Sequence, residues 1–117
     1  MAIVATDRGI LYFFNDLLHD LVFRVPTGGF EAPGGSLCID FFNAEKKSAP
    51  RYQLCIYGIV DIRNSGRLEE LPGYEAMLNV VRFEERGGAK TLTLNCVHTF
   101  KLVCTVSELR VSLDQVD

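Results

Sequence analysis

The apolar residues near the start of the chain recur at the spacing of an α-helix. Five of them follow the i, i+3, i+4, i+7, i+8 pattern that places side chains on one helix face, namely Ile10, Phe13, Phe14, Leu17 and Leu18. Thr6 or Asp7 can cap the first turn, because either side chain can accept a hydrogen bond from its free amides. The pattern therefore predicts an amphipathic helix over residues 7–19 that packs one face against the rest of the protein.

After Asp20 the apolar period changes from about 3.6 to 2, which is the period of a β-strand. Strand-like runs follow one another at residues 21–25, 37–42, 52–63, 76–85, 91–96 and 100–113. Polar or Gly- and Pro-containing segments separate them at residues 26–36, 43–51, 64–74 and 86–90. The chain therefore alternates between strands and mostly short connections.

Three of these runs carry further information. The middle of 52–63 is apolar on both sides, as expected of a central strand. Residues 76–85 fit a helix or a strand, and their valines and Phe83 favour a strand. In the last run the apolar positions are even-numbered through Val106 and odd-numbered from Leu109, so the chain needs a bulge or a break near Ser107–Glu108.

Together these elements predict an α+β protein that is mainly β. An N-terminal amphipathic helix packs on the apolar face of an antiparallel sheet of about six strands. Strands do not alternate with long helices, so a parallel α/β sheet is not expected. The length of 117 residues fits a single domain over residues 1–117.

Composition narrows the class of protein. The chain is 48% hydrophobic and 23% charged, with a formal net charge of −3. Its twelve basic residues are scattered and form only one run, Lys46–Lys47, so we expect no nucleic-acid partner. No run approaches the roughly 18 apolar residues that span a bilayer, and the start lacks the pattern of a secretory signal. We therefore expect a cytoplasmic protein without a membrane partner.

The four cysteines are Cys38, Cys55, Cys96 and Cys104, and each lies in an apolar strand-like run. Their spacing contains no CxxC pair and matches no common zinc motif. The Gly-rich segment 26–36 matches neither a Walker loop nor a dinucleotide-binding fingerprint. We therefore expect four reduced, buried cysteines, no metal and no cofactor.

Two histidine pairs are the candidates for chemistry. His19 and Asp20 lie where the helix gives way to the first strand, and a histidine there also interacts favourably with the helix dipole. Cys96 and His98 share a face if the run is a strand, as a thiolate–imidazole pair or two metal ligands would. The structural interpretation is favoured for both pairs, so no catalytic residue is predicted. A small enzyme or metal-binding protein that uses these residues is the alternative.

Carboxylates concentrate in or beside two predicted loops. Together with one tyrosine they give the predicted partner-binding residues Glu69, Glu70, Tyr74, Glu84 and Glu85. Tyrosine supplies contact area and carboxylates steer a basic partner, so the sequence favours a non-catalytic module that binds another protein. A self-associating structural subunit is a further alternative.

The order of these elements resembles that of small β-rich bacterial immunity-type proteins of polymorphic toxin systems. The resemblance covers most of the chain as topology. As motif it rests on His19 and Asp20 in LLHDLVFRV and on the YGIVDI run within LCIYGIVDI. It implies a non-catalytic protein that binds and neutralises a cognate toxin. A toxin domain that binds the predicted glutamates would be basic. It assigns no toxin contact to an individual residue.

Overall fold

The structure of the protein, a computed structural model, describes residues 2–66, 75–97 and 100–116. These residues form one helix and nine strands. In chain order the elements are β1 (Ile3–Ala5), α1 (Arg8–Leu18), β2 (Val22–Arg24), β3 (Leu37–Phe41), β4 (Arg51–Ile56), β5 (Ile59–Ser65), β6 (Glu75–Arg86), β7 (Ala89–Cys96), β8 (Lys101–Val106) and β9 (Val111–Val116).

The strands lie in two antiparallel sheets. One sheet has the order β1-β9-β4-β3 and the other has the order β2-β6-β7-β8-β5. Within the described residues they meet at one β-bridge, in which Val22 and Phe42 exchange main-chain hydrogen bonds of 2.9 Å in both directions. The prediction of a mainly β, antiparallel protein with one helix is confirmed, whereas the expected single sheet is in fact two.

Three of the nine strands were not separated by the sequence pattern. β1 precedes the helix and has three residues, too few for a period to show. The run 100–113 is divided into β8 and β9, which confirms the predicted break near Ser107–Glu108. The run 52–63, expected to be one strand, is divided into β4 and β5.

Gly58 is the point at which the 52–63 run divides. Its φ of +67° is in the left-handed region that favours glycine. The chain turns there from β4, which lies between β9 and β3, into β5, which is the last strand of the other sheet. The expectation of one continuous central strand is therefore wrong. The apolar middle of the 52–63 run is the segment in which the chain passes from one sheet to the other.

The helix follows the prediction closely in its bounds and less closely in its buried face. Asp7 caps it, with its carboxylate accepting from the Ile10 amide at 3.0 Å. Leu11, Phe14 and Leu18 are buried, whereas Phe13 is 48% exposed. The helix contacts β6 and β1. It therefore lies along a strand edge. Its buried face is formed by Leu11, Phe14 and Leu18 and does not include Phe13.

The core lies between the two sheets and under the helix. Four phenylalanines form its aromatic centre, and Phe23 contacts each of the other three with ring centroids 5.1–6.3 Å apart. The others are Phe30 from a loop, Phe41 from β3 and Phe100, which directly precedes β8. Aromatic pairs at this separation add to the free energy gained from burial alone. The core thus joins residues that are far apart in the chain.

Cys38 and Cys55 form a disulfide between β3 and β4. The two residues are directly opposite one another in the register, with their Cα atoms 4.0 Å apart. The expectation that all four cysteines are reduced is therefore wrong for this pair, because pairing of two distant strand segments brought them together. Cys96 and Cys104 are free thiols.

Candidate protein-binding groove

The outer edge of β3 carries main-chain groups that have no partner in the part of the chain the structure describes. Phe42 uses its N–H and C=O to bridge to Val22. Alternate residues of an extended strand present these groups to the same edge, and the β3–β4 register is regular, so Cys38 and Asp40 present theirs to that edge too. Beyond the bridge β2 leaves β3, and this length of edge stays open.

A groove of about 650 Å³ runs along this edge. Its apolar lining includes Pro26, Phe30 and Ile39. Cys38 and Asp40 lie along it, so the open main-chain groups face the space inside the groove rather than a flat surface. An extended polypeptide that entered the groove could form hydrogen bonds with both residues.

The groove is strongly basic. In the described part of the chain, four cationic side chains line it, and one lining residue, Asp40, carries a carboxylate. The cations are Arg24, Lys46, Lys47 and Arg51. The Asp40 carboxylate accepts a hydrogen bond from the Gln53 amide at 3.2 Å. A protein with a net charge of −3 thus has a local excess of positive charge at this edge.

The β3–β4 connection places two of these cations. The Asn43 side chain accepts hydrogen bonds from the main-chain amides of Glu45 at 2.9 Å and Lys46 at 3.0 Å. The Ala49 amide then bonds to the Lys46 carbonyl at 3.1 Å. Asparagine commonly organises turns in this way. The turn holds Lys46 and Lys47 beside the groove.

The edge of β5 is partly covered by a loop, unlike that of β3. The Asn64 side chain accepts from the Phe30 amide at 2.7 Å and donates to the Phe30 carbonyl at 3.0 Å. The Ile59 amide donates to Gly35 at 2.8 Å. The loop before β3 therefore contacts β5 at two points and covers part of its edge, and covering an edge with a loop is a common protection against unwanted strand pairing.

The helix closes part of the β6 edge. The Asn15 side chain accepts from the Val81 amide at 2.8 Å and donates to its carbonyl at 3.4 Å. His19 and Asp20 bond to the next residues of the edge, Asn79 and Leu78. A second, smaller groove lies between the first half of α1 and the far end of β6.

The predicted partner-binding residues fall into two groups. Glu69, Glu70 and Tyr74 lie outside the described residues. Glu84 and Glu85 are exposed and line the groove between α1 and β6. As neighbours in a strand they project to opposite faces. Each also has a basic residue nearby, because Arg86 lies 3.8 Å from Glu84 and Lys90 is the register partner of Glu85.

The His19–Asp20 pair connects the helix to β6. The His19 Nδ1 lies 2.9 Å from the Asn79 carbonyl oxygen, and its Nε2 lies 3.4 Å from the Asp20 carboxylate. Asp20 has a positive φ of 68°, and its amide donates to the Leu78 carbonyl at 3.1 Å. These contacts end the helix and fix it against the strand, as a structural role requires.

The second candidate pair is only partly described. His98 lies outside the described residues, and Cys96 is half-buried at the end of β7. Burial raises the pKa of the Cys96 thiol to about 12, and that of Cys104 to about 11. A nucleophile or metal ligand needs the thiolate, which such pKa values disfavour at neutral pH. Among the described residues, no three His, Cys, Asp or Glu side chains group as metal ligands.

Sequence reasoning missed the basic groove. Lys46 and Lys47 form a visible pair in the sequence. Arg24 is more than twenty residues away, and the bridge between Val22 and Phe42 brings it to the groove. The period-2 pattern identifies strands, and it does not report which strand has an unpaired edge. The one available signal was the polar loop 43–51, which carries both lysines and ends at Arg51.

No family model, no curated protein and no solved structure matches this chain. The resemblance to immunity-type proteins therefore stays a prediction. In the described part of the chain, α1 is too short to cross a membrane.

Proposed function

We propose that this protein is a non-catalytic binding module that takes up an extended segment of another protein along β3. The observation that carries the proposal is the open edge at Cys38 and Asp40, whose main-chain groups face the groove. In strand addition, a partner segment supplies the missing strand, and its main chain provides the hydrogen bonds. The groove supplies the contacts for the partner's side chains.

The chemistry of the edge favours a polypeptide over a small ligand. Each of the two residues offers one donor and one acceptor, spaced by two positions of a strand. A second extended main chain has the same alternation of donors and acceptors, so it satisfies all four groups at once. Pro26, which is exposed, and Phe42, which is half-buried, line the same groove and offer apolar area to alternate side chains of the added segment.

A soluble octapeptide of alternating glutamate and valine tests strand addition. We expect its addition to shift the amide NMR signals of Cys38 and Asp40 and to slow their hydrogen exchange, because both amides gain acceptors. Two control peptides have the same sequence. In one, the main-chain nitrogens that face one edge of the extended peptide are methylated, and in the other, those that face the opposite edge. One of the two methylated forms should lose binding. Equal binding of both methylated forms and the parent would show that no strand is added.

The narrower proposal is an immunity protein that neutralises a cognate toxin. It is supported by the resemblance carried by His19, Asp20 and the YGIVDI run. A toxin gene beside the gene for this chain, and rescue of cells that express that toxin, would support it. Glu69, Glu70, Tyr74, Glu84 and Glu85 remain predicted contacts for a basic partner. Of these, Glu84 and Glu85 line a groove other than the basic one.

The cytoplasmic location also remains a prediction. Disulfides persist mainly in oxidising compartments, so the Cys38–Cys55 bond favours such a compartment over the cytoplasm. Alkylation of free thiols during cell lysis, followed by mass spectrometry, distinguishes the two. Self-association is the remaining alternative, and light scattering reports it.

A further inference from the structure

We infer that the groove along β3 selects an acidic segment, in which carboxylates alternate with apolar residues. This inference rests on the proposed function, because it names the chemistry of the segment that adds to the strand. The cations come from three parts of the chain: Arg24 from β2, Lys46 and Lys47 from the β3–β4 loop, and Arg51 from the start of β4. Residues from separate parts of the chain thus bring positive charge to one groove.

The positive charge is not neutralised by the groove itself. Asp40 is the only acidic residue among the described residues that line it, and its carboxylate accepts a hydrogen bond from the Gln53 amide on β4. In the described residues, no ion pair involves Arg24, Lys46, Lys47 or Arg51. The Arg24 guanidinium lies 5.9 Å from the centre of the Phe42 ring, and although Glu75 is its register partner in β6, the two side chains form no ion pair. An incoming carboxylate can therefore pair with these cations without first breaking an existing ion pair.

The open edge decides which kind of polyanion fits. Phosphate groups of a nucleic acid can accept hydrogen bonds from cations and from the amides of Cys38 and Asp40. They cannot donate to the two carbonyl groups at the same edge, which would lose water without gaining a partner. An acidic polypeptide satisfies the cations with its side chains and both kinds of main-chain group with its backbone. A nucleic acid carries donors only on its bases and ribose hydroxyls and does not alternate them with acceptors at the spacing of a strand, so the geometry points to an acidic protein segment.

Three octapeptides of equal length isolate the charge. Valine alternates with glutamate in the first, with glutamine in the second and with lysine in the third, and the Kd of each is measured by fluorescence anisotropy. We expect the glutamate peptide to bind at least about tenfold more tightly than the glutamine peptide, because each carboxylate gains attraction to nearby cations. The lysine peptide should bind more weakly still. Raising the salt from about 0.05 M to about 0.5 M should reduce the difference.

A pair of variants locates the effect. Lys46→Glu/Lys47→Glu reverses two charges in an exposed loop of the groove and should remove the preference for the glutamate peptide. Arg63→Glu/Lys101→Glu makes the same change in charge at exposed positions outside the groove and should keep it. Circular dichroism of both variants checks that the fold is retained.

The outcomes separate this inference from the proposed function. If the glutamine and glutamate peptides bind equally while N-methylation abolishes binding, the charge selection is wrong and strand addition stands. If the glutamate peptide is preferred but N-methylation has no effect, the edge is not used and the proposed function is wrong. If inorganic polyphosphate competes better than the glutamate peptide, the groove is a site for phosphates. Binding of none of the peptides at millimolar concentration contradicts both proposals.

Discussion

Two asparagine side chains each pair with both main-chain groups of a residue that has no neighbouring strand there: Asn15 does so at the edge of β6, and Asn64, in β5, does so for a loop residue. Asn15 pairs with both main-chain groups of Val81, and Asn64 does the same with Phe30. A side-chain amide carries the donor and acceptor of a peptide group, so it can satisfy a strand edge that has no neighbouring strand. Nothing in the sequence distinguishes these asparagines from surface ones, because their partners are 66 and 34 residues away.

Replacement of Asn15 tests this role. In Asn15→Ala, the Val81 amide loses its partner in a part-buried position, and we expect the free energy of unfolding to fall by about 1–3 kcal/mol. Urea denaturation measures the change. Asp16→Ala is the control, because this neighbour is exposed and gains the same helix propensity. Equal stability of the two variants would contradict the role given to Asn15.

The Asn64 pairing also explains a glycine. Gly29 has a φ of +94°, and a Cβ added to it would lie 2.7 Å from the Asn64 side chain. The Gly-rich segment 26–36 is thus a loop, as predicted, and part of it lies along β5. The sequence indicates that this segment is irregular, but the edge that it covers depends on the folded arrangement of the sheets.

At the scale of elements, the local hydrophobic pattern predicts a strand correctly wherever that strand is continuous. The strand over 76–85 and the hairpin at Gly87–Gly88 are confirmed, with both glycines at positive φ as a two-residue turn requires. The pattern failed at Gly58, because the residues on both sides are apolar and keep a period of 2 through the turn. An apolar run does not reveal that its two halves belong to different sheets.

Gly58→Ala tests the turn between β4 and β5. A side chain there must adopt a φ of +67°, and its Cβ would lie 2.8 Å from the Ser107 hydroxyl. Gly87→Ala has a φ of +57° but open space around the Cβ, so it isolates the backbone cost of about 1–2 kcal/mol. We expect Gly58→Ala to lower the free energy of unfolding by more than Gly87→Ala.

Ser107→Ala completes the comparison, because it removes the hydroxyl that the new Cβ would meet. In the double variant Gly58→Ala/Ser107→Ala, we expect the loss of unfolding free energy caused by the steric contact to disappear. The loss caused by the positive φ should remain. Thermal and urea unfolding of the single and double variants give the coupling between the two sites. If the changes in unfolding free energy are additive, the steric contact is not the cause.

At the scale of the whole molecule, the groove is a consequence of two sheets that join at one bridge. Val22 and Phe42 connect β2 to β3, and beyond them the strands separate and leave Cys38 and Asp40 open. The predicted residues Glu84 and Glu85 lie at a different groove. Mainly β content could be predicted from the sequence because it follows from local periodicity. The binding edge could not, because it depends on how the sheets meet.

The two free thiols make the stability of the whole protein depend on pH in alkaline solution. Burial raises the pKa of Cys96 to about 12 and that of Cys104 to about 11, from the ordinary value of 9.0. Above pH 9 the unfolded chain loses these protons while the folded protein keeps them, so unfolding becomes easier as the pH rises. The stabilisation is complete below pH 9 and is lost as the pH passes through the folded pKa values.

Urea denaturation at intervals from pH 8 to about 11 measures this slope. The matched variant is Cys96→Ala/Cys104→Ala, which retains the Cys38–Cys55 disulfide and every tyrosine and lysine. This variant should be less stable at pH 8 because buried atoms are lost, yet its stability should fall less steeply above pH 9. Parallel slopes would mean that the two thiols ionise alike in the folded and unfolded chains, and the burial assigned to them would then be wrong.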